Sequence, residues 1–326
     1  MQNKLKVVGG SGVIQLMQNF VQSPVGADLI LAARNVKTFC FLVAVVALSV
    51  FMIGAKARCD PADGPWVLAS KSSVRLIAGA PGRLPYGAGV EMRLDPGAIT
   101  YWRTPGDAGA PPAFSFDGSE NVANVTILFP APKRIDEAGT EAFGYTGDVT
   151  FPLHIRPTDP ALPVNLTMKM NFAVCERICL PNMVETKLTL LPEKAPSSLA
   201  GAGPASAIER AEEKVPVRLS ETDRDKKVSI VRDPTASPPT WRLKLAEGAN
   251  NVSGSQDGAA DLFAEAPAGW YFETRKSGRP DEFLIVEAAR PKTAAGTAAP
   301  VLLTLTQPRH SYEFAVELKP AAAIKP

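Results

Sequence analysis

The chain has 326 residues, 45% of them apolar and 21% charged, with a formal net charge of +2. That profile belongs to a globular protein long enough for two cores, and it excludes a disordered chain. Basic and acidic residues are interspersed, so the basic stripe that nucleic-acid binding requires is missing and no nucleic-acid partner is expected.

The first element in chain order is an apolar run, FCFLVAVVALSVFMIGA, from Phe39 to Ala55. Arg34 and Lys37 precede it, and Ala55-Lys56-Ala57 follows as a small-x-small site. Together they read as an export signal spanning residues 1–57 with its N-terminal extension. The run is near the lower length for crossing a bilayer, so an uncleaved inner-membrane tether is the alternative to cleavage. Export places the remainder in an oxidising compartment, the periplasm, where a cysteine pair is first of all a disulfide. Cys40 lies inside the apolar run and Cys59 at the mature N-terminus, which leaves Cys175 and Cys179 as the pair.

From Val74 to Leu191 short strands alternate with turns: VRLIAGA, VEMRLD, ANVTILFP, GDVTFPLHI, VNLTMKMNFAV and VETKLTLLP. Thirty prolines and 25 glycines in the chain favour that pattern over long helices. The stretch EKAPSSLAGAGPAS then reads as a linker, with its most protease-sensitive point between Glu193 and Ser206. SAIERAEEKV follows, with Ile208, Ala211 and Val215 at helical spacing. Strands resume beyond Pro216 with KVSIV, TWRLKLA, WYFETRK, EFLIVEAA, VLLTLTQ and YEFAVELK. The predicted fold is all-β: two tandem β-sandwich domains, at 61–192 and 215–320, joined by a linker and short helix at 193–214.

Cys175 and Cys179 sit in NFAVCERICLP. Along a continuous strand four residues span about 13 Å, too far for a disulfide. A hairpin with Glu176, Arg177 and Ile178 as its loop brings the two opposite each other. Strand parity puts Leu166, Met168, Met170, Phe172 and Val174 on one face and both cysteines on the opposite, more polar one, exposed. So small a loop restrains the unfolded chain by only about 2 kcal/mol. Such a pair suits thiol exchange better than stapling. Two rivals remain: a structural disulfide in an adaptor protein, and a Cu(I) site in which Met168, Met170 and Met183 supply soft ligands beside the thiols.

GAITYWRTPGDAGAPPAFSF, FPAPKRI, FGYTGDVTFPL and FAVCERICLP, in that order, resemble the N-terminal periplasmic domain of the DsbD/ScsB family of membrane thiol reductants. The resemblance runs from about Trp66 to Leu191, and the second β region is similar more loosely. It implies an immunoglobulin-like fold and a redox role for Cys175 and Cys179. It also implies a membrane thiol reductant as electron donor and a periplasmic disulfide isomerase or thioredoxin-like protein as client, with no cofactor. Because the sequence given ends at Pro326 without a multi-span or thioredoxin segment, the donor is expected to be a separate polypeptide. Cys179 is expected to bond the client and Cys175 to resolve the mixed disulfide. The resemblance further implies an aromatic cap from Tyr101 and Trp102; the plainer alternative is a Pro/Gly-rich loop whose aromatics pack at the sandwich edge. Asp107 and Glu176 are candidates to disfavour the thiolate, Arg103 and Arg177 to favour it. His154 and His310, the only histidines, are surface or packing residues, since thiol exchange needs neither.

Overall fold

The computed structural model describes residues 63–79, 84–137, 139–192, 205–246, 260–279, 281–294 and 296–320. All belong to one compact unit, Asp60–Pro326. The export segment and residues 193–204 of the expected linker lie outside the described residues. Among those described, no helix is long and apolar enough to cross a membrane.

Eleven strands come first: β1 (Val67–Ala69), β2 (Ser72–Ala78), β3 (Tyr86–Leu94), β4 (Ile99–Gly106), β5 (Ala113–Ser115), β6 (Val122–Ile127), β7 (Lys133–Glu137), β8 (Thr140–Thr146), β9 (Val149–Pro157), β10 (Val164–Cys175) and β11 (Cys179–Leu190). They form one sheet in the order β1-β2-β3-β9-β6 and a second in the order β11-β10-β4-β8-β7, with β5 paired to β10. Alternation explains how the two sheets face each other. Along β10, Val164, Leu166, Met168, Met170, Phe172 and Val174 are buried, while Asn165, Lys169 and Asn171 are exposed. The buried set meets Val74, Leu76, Val90, Phe151 and Leu153 of the facing sheet in one core.

Helix α1 (Ala205–Glu212) follows, burying Ile208 and Ala211 as the spacing predicts. Its Glu212 Oε1 lies 2.8 Å from His154 Nε2, so that histidine has a packing role. Then come β12 (Val217–Arg218), α2 (Glu221–Lys227), β13 (Val228–Asp233), β14 (Thr240–Leu245), β15 (Asp261–Glu265), β16 (Tyr271–Lys276), β17 (Glu282–Ala289), a 3-10 turn (Lys292–Ala294), β18 (Ala299–Thr306) and β19 (Tyr312–Leu318). These strands form sheets in the orders β12-β19-β18-β15 and β13-β14-β17-β16, around a core that includes Leu243, Leu262, Ile285, Leu303 and Phe314. Among the described residues the fold is all-β with two short helices. Helix α2 carries no buried residue; Ser220 caps it, its hydroxyl accepting from the Asp223 amide at 3.2 Å.

The two sheet pairs meet through β15. Leu262 points into the second core, whereas its neighbour Phe263, fully buried, points into the first. Phe263 packs edge-on against Trp102 and Phe143, with ring centroids 6.0 and 4.9 Å away. Polar contacts flank it. Arg134 of β7 donates to Asp261 at 3.0 and 3.1 Å and to the Leu262 carbonyl at 2.8 Å. Arg103 of β4 donates to both oxygens of Glu265, at 2.9 and 2.6 Å, and also to Glu313. Burial alone would lower both guanidinium pKa values. Hydrogen bonds and charge from Glu265 and Glu313, and from Asp261 and Glu141, outweigh it and hold both above the ordinary range.

Candidate functional site

Strands β10 and β11 pair residue for residue from Val164↔Leu190 to Cys175↔Cys179, with no bulge to shift the register. Glu176, Arg177 and Ile178 close the hairpin, and the two cysteines form a disulfide with Cα atoms 4.1 Å apart. Parity therefore holds: the sulfurs lie on the face opposite Met168 and Met170. The expected exposure holds for only one of them. Cys179 is exposed, but Cys175 is only 2% accessible.

Its cover comes from the neighbouring strand. Tyr101 and Trp102 are adjacent on β4, so their side chains leave opposite faces of the sheet. Trp102 enters the main core, and Tyr101 lies over the disulfide in a separate apolar cluster with Ala142 and Cys175, flanked by Ile99, Ala108, Ile135 and Ala173. The segment is a strand rather than the Pro/Gly-rich loop, and the cap is Tyr101 alone. The backbone of Gly109 lies against the Tyr101 ring. Its φ is +85°, and a Cβ there would stand 2.1 Å from Tyr101 Cε1, so only glycine fits. Tyr101 thus touches both the disulfide and the Asp107–Gly109 turn.

The Tyr101 hydroxyl is 2.7 Å from Cys175 Sγ and 3.5 Å from Cys179 Sγ. It is also 2.8 and 3.0 Å from the two carboxylate oxygens of Glu137, at the end of β7. One phenolic proton serves all these acceptors. Burial first, and then the hydrogen bond and charge of Glu137, raise the Tyr101 pKa well above the ordinary phenol range, so the proton stays in place. Glu137 Oε1 stands 3.2 Å from Cys179 Sγ. A disulfide sulfur has no proton to donate; in the reduced protein the same contact becomes a thiol donating to a carboxylate. Sequence reasoning missed Glu137, because KRIDE has one apolar residue and gives no strand signal.

The other expected tuning residues lie elsewhere. Arg103 and Asp107 face the second sheet pair, where Asp107 accepts from the Tyr271 hydroxyl. Glu176 pairs with Lys71 at 3.2 Å, and Arg177 is exposed. Met168 and Met170 are wholly buried in the main core, on the face away from the sulfurs, so they are unavailable as ligands beside them; Met183 is exposed. Among the described residues, Glu137, Cys175 and Cys179 are the group that offers three metal-ligand atoms within 4.8 Å of one another. His310 lies near Tyr312, ring centroids 6.5 Å apart, far along the chain from this chemistry.

Residues 85–191 match the family model described as thiol:disulfide interchange protein DsbD, N-terminal, which bears out the resemblance carried by the sequence motifs. Among solved structures, the chain is similar to the N-terminal periplasmic domain of ScsB from Proteus mirabilis at 20% identity and a TM-score of 0.60. The match covers 80% of this chain and 99% of that one, and at this identity it speaks for the fold. An endo-fucoidan hydrolase of glycoside hydrolase family 107 matches at 11% identity over 69% of this chain and 35% of that one; its TM-score of 0.17 carries no weight. No curated protein matches the chain.

Proposed function

We propose that this protein relays reducing equivalents by thiol–disulfide exchange through Cys175 and Cys179. The observation that carries the proposal is the asymmetry of the pair: an exposed Cys179 sulfur is bonded to a buried Cys175 sulfur that has a hydroxyl donor at 2.7 Å. In the reduced protein the Cys179 thiolate attacks a client disulfide, forming a mixed disulfide and expelling one client thiolate. The Cys175 thiolate then attacks Cys179 Sγ, and the second client sulfur leaves. Two electrons pass to the client, which becomes a dithiol, and the Cys175–Cys179 disulfide is restored. Recharging runs the steps in reverse. A donor thiolate attacks Cys179 Sγ, and Cys175 departs as a thiolate that the Tyr101 hydroxyl, 2.7 Å away in the closed site, stabilises as the cap reseats. No cofactor enters.

The partners that fit are a membrane-bound dithiol donor and a periplasmic isomerase or thioredoxin-like client, and the working compartment is the periplasm. The export-signal pattern of residues 39–57 and the family match support that placement. Protease added to spheroplasts is expected to degrade the protein; full protection contradicts the placement. The two cores support reading 61–192 and 215–320 as tandem immunoglobulin-like sandwiches.

The site test leaves one cysteine of the pair at a time, with each adduct located by peptide mapping so that Cys40 and Cys59 do not count. With Cys175→Ser, Cys179 is expected to form a mixed disulfide with glutathione disulfide; with Cys179→Ser, Cys175 under its cap is expected to react at least about tenfold more slowly. Equal or reversed rates overturn the assignment. A second reading rests on the grouping of Glu137 with the two sulfurs: the reduced pair binds Cu(I) without help from Met168 or Met170. Anaerobic Cu(I) titration of reduced wild type and Glu137→Gln tests it.

A further inference from the structure

The strand that carries the cap is held oddly. β4 pairs with β8 at Ile99–Tyr101 and again only at Gly106, with a register break between. Over the intervening residues its side chains reach the second sheet pair instead. Arg103 binds Glu265 and Glu313. Thr104 donates its hydroxyl to Glu265 at 2.8 Å. Beyond the break, Asp107 starts the turn whose Gly109 backbone rests on the Tyr101 ring, and Asp107 accepts from the Tyr271 hydroxyl. Burial and the bond to Asp107 raise the Tyr271 pKa, so that donor keeps its proton at any ordinary pH. The stretch from Tyr101 to the turn is therefore fastened at two points, before the turn and at its start, by residues of β15, β16 and β19.

We infer that the second sheet pair is a clamp on the cap, setting how often Tyr101 and the Asp107–Gly109 turn lift away from the Cys175–Cys179 disulfide. The inference rests on the thiol-exchange proposal and adds the part that controls it. Reduction needs a thiolate in line with the S–S axis. With the cap closed, the Tyr101 hydroxyl and Glu137 Oε1 stand 3.5 and 3.2 Å from Cys179 Sγ and crowd that approach, so the observed rate scales with the open population. Loosening Arg103 from Glu265, or Tyr271 from Asp107, raises that population without touching a residue next to sulfur.

The test is the second-order rate constant for reduction of the disulfide by dithiothreitol in the full chain. In this reaction two electrons pass from the reagent, which closes to its cyclic disulfide, and the protein gains two thiols, counted by mass after quenching and alkylation. Tyr271→Phe and Glu265→Gln are each expected to react about fivefold faster than wild type, the ratio for loss of one hydrogen bond from a closed state. Asp107→Asn keeps an acceptor for Tyr271 and is expected to stay near wild type. Gly109→Ala pushes on the Tyr101 ring directly and is expected to be at least as fast as Tyr271→Phe. Urea midpoints taken alongside separate cap opening from general loosening. Wild-type rates in both Tyr271→Phe and Glu265→Gln overturn the clamp, and so does an Asp107→Asn rate equal to that of Tyr271→Phe. A folded wild-type disulfide that resists dithiothreitol counts against the thiol-exchange proposal; the clamp then stands only if the loosened variants react, and falls if they do not.

Discussion

In the first sheet pair, the outward face of the β10-β4-β8-β7 sheet carries a second apolar cluster around Cys175, separate from the main core. In the second pair, the buried apolar side chains of the described strands form one core, except Phe263, which is given to the neighbour. Both pairs are layers filled by alternating side chains, antiparallel except where the short β12 runs parallel to β19, so the layering itself does not make a site. The difference lies in what happens outside the core. The first pair places a tyrosine, a carboxylate and two sulfurs on its outer face. The second offers Asp261, Glu265 and Glu313 to the arginines that sit beside those residues in sequence. One pair holds the chemistry and the other holds the strands that hold the chemistry.

The strongest way to break this comparison is to remove the side chain that ties the pairs together. Phe263→Ala is expected to destabilise the protein by about 3–5 kcal/mol, since it empties a fully buried site lined by Trp102 and Phe143. Urea unfolding should remain one transition at a lower midpoint. Two separated transitions would mean that the pairs stand alone. Next in size is the double change Cys175→Ser, Cys179→Ser. The closed loop is short, so the loss should be about 2 kcal/mol, and the fold should survive while exchange through the pair is abolished. A protein that no longer folds would return the disulfide to a structural role.

Smaller effects sharpen the picture of the outer face. Glu137→Gln removes a negative charge 3.2 Å from Cys179 Sγ. The thiolate then forms more readily, and alkylation of the reduced pair at fixed pH should speed up about three- to tenfold, with stability almost unchanged. No change in rate would show that the carboxylate only holds Tyr101. The smallest effect concerns pH. Tyr101 has its pKa raised in the folded protein, so its contribution to stability is intact below about pH 10, where an unfolded tyrosine begins to ionise, and is lost as pH rises further. Tyr101→Phe should flatten the stability curve above about pH 10 relative to wild type. An unchanged slope would mean that the other tyrosines dominate alkaline unfolding.

Much of this was legible in the sequence where periodicity was strong. β10 and β11 alternate cleanly, which gave the hairpin, the pairing of Cys175 with Cys179 and the face they share. The missed strands are those whose composition hides them. TYWRTPG ends in proline and glycine, KRIDE is mostly charged, TEAFGYT is broken by glycine, and DLFAE has too few residues to show a period. They are the strands that carry Tyr101, Glu137, Ala142 and Phe263. Glu137 meets Cys179 across 42 positions of sequence, through the four strand pairings β7–β8, β8–β4, β4–β10 and β10–β11, most of which no local pattern announces. The burial of Cys175 was misread for the same reason: parity shows which way a side chain points, and a neighbouring strand decides what covers it. Helix α2 was missed because ETDRDKK has no apolar face, and its cap and charge arrangement hold it instead.

The account stands most directly on the redox poise of the Cys175–Cys179 pair. The purified protein would be equilibrated in glutathione or dithiothreitol buffers of known potential, with free thiols counted by mass at each point. The expected result is a single two-electron transition with a potential above about −300 mV, in the range open to exchange with other protein thiols. A potential well below that line, or cysteines that never react while the protein remains folded, would contradict it and leave a structural disulfide.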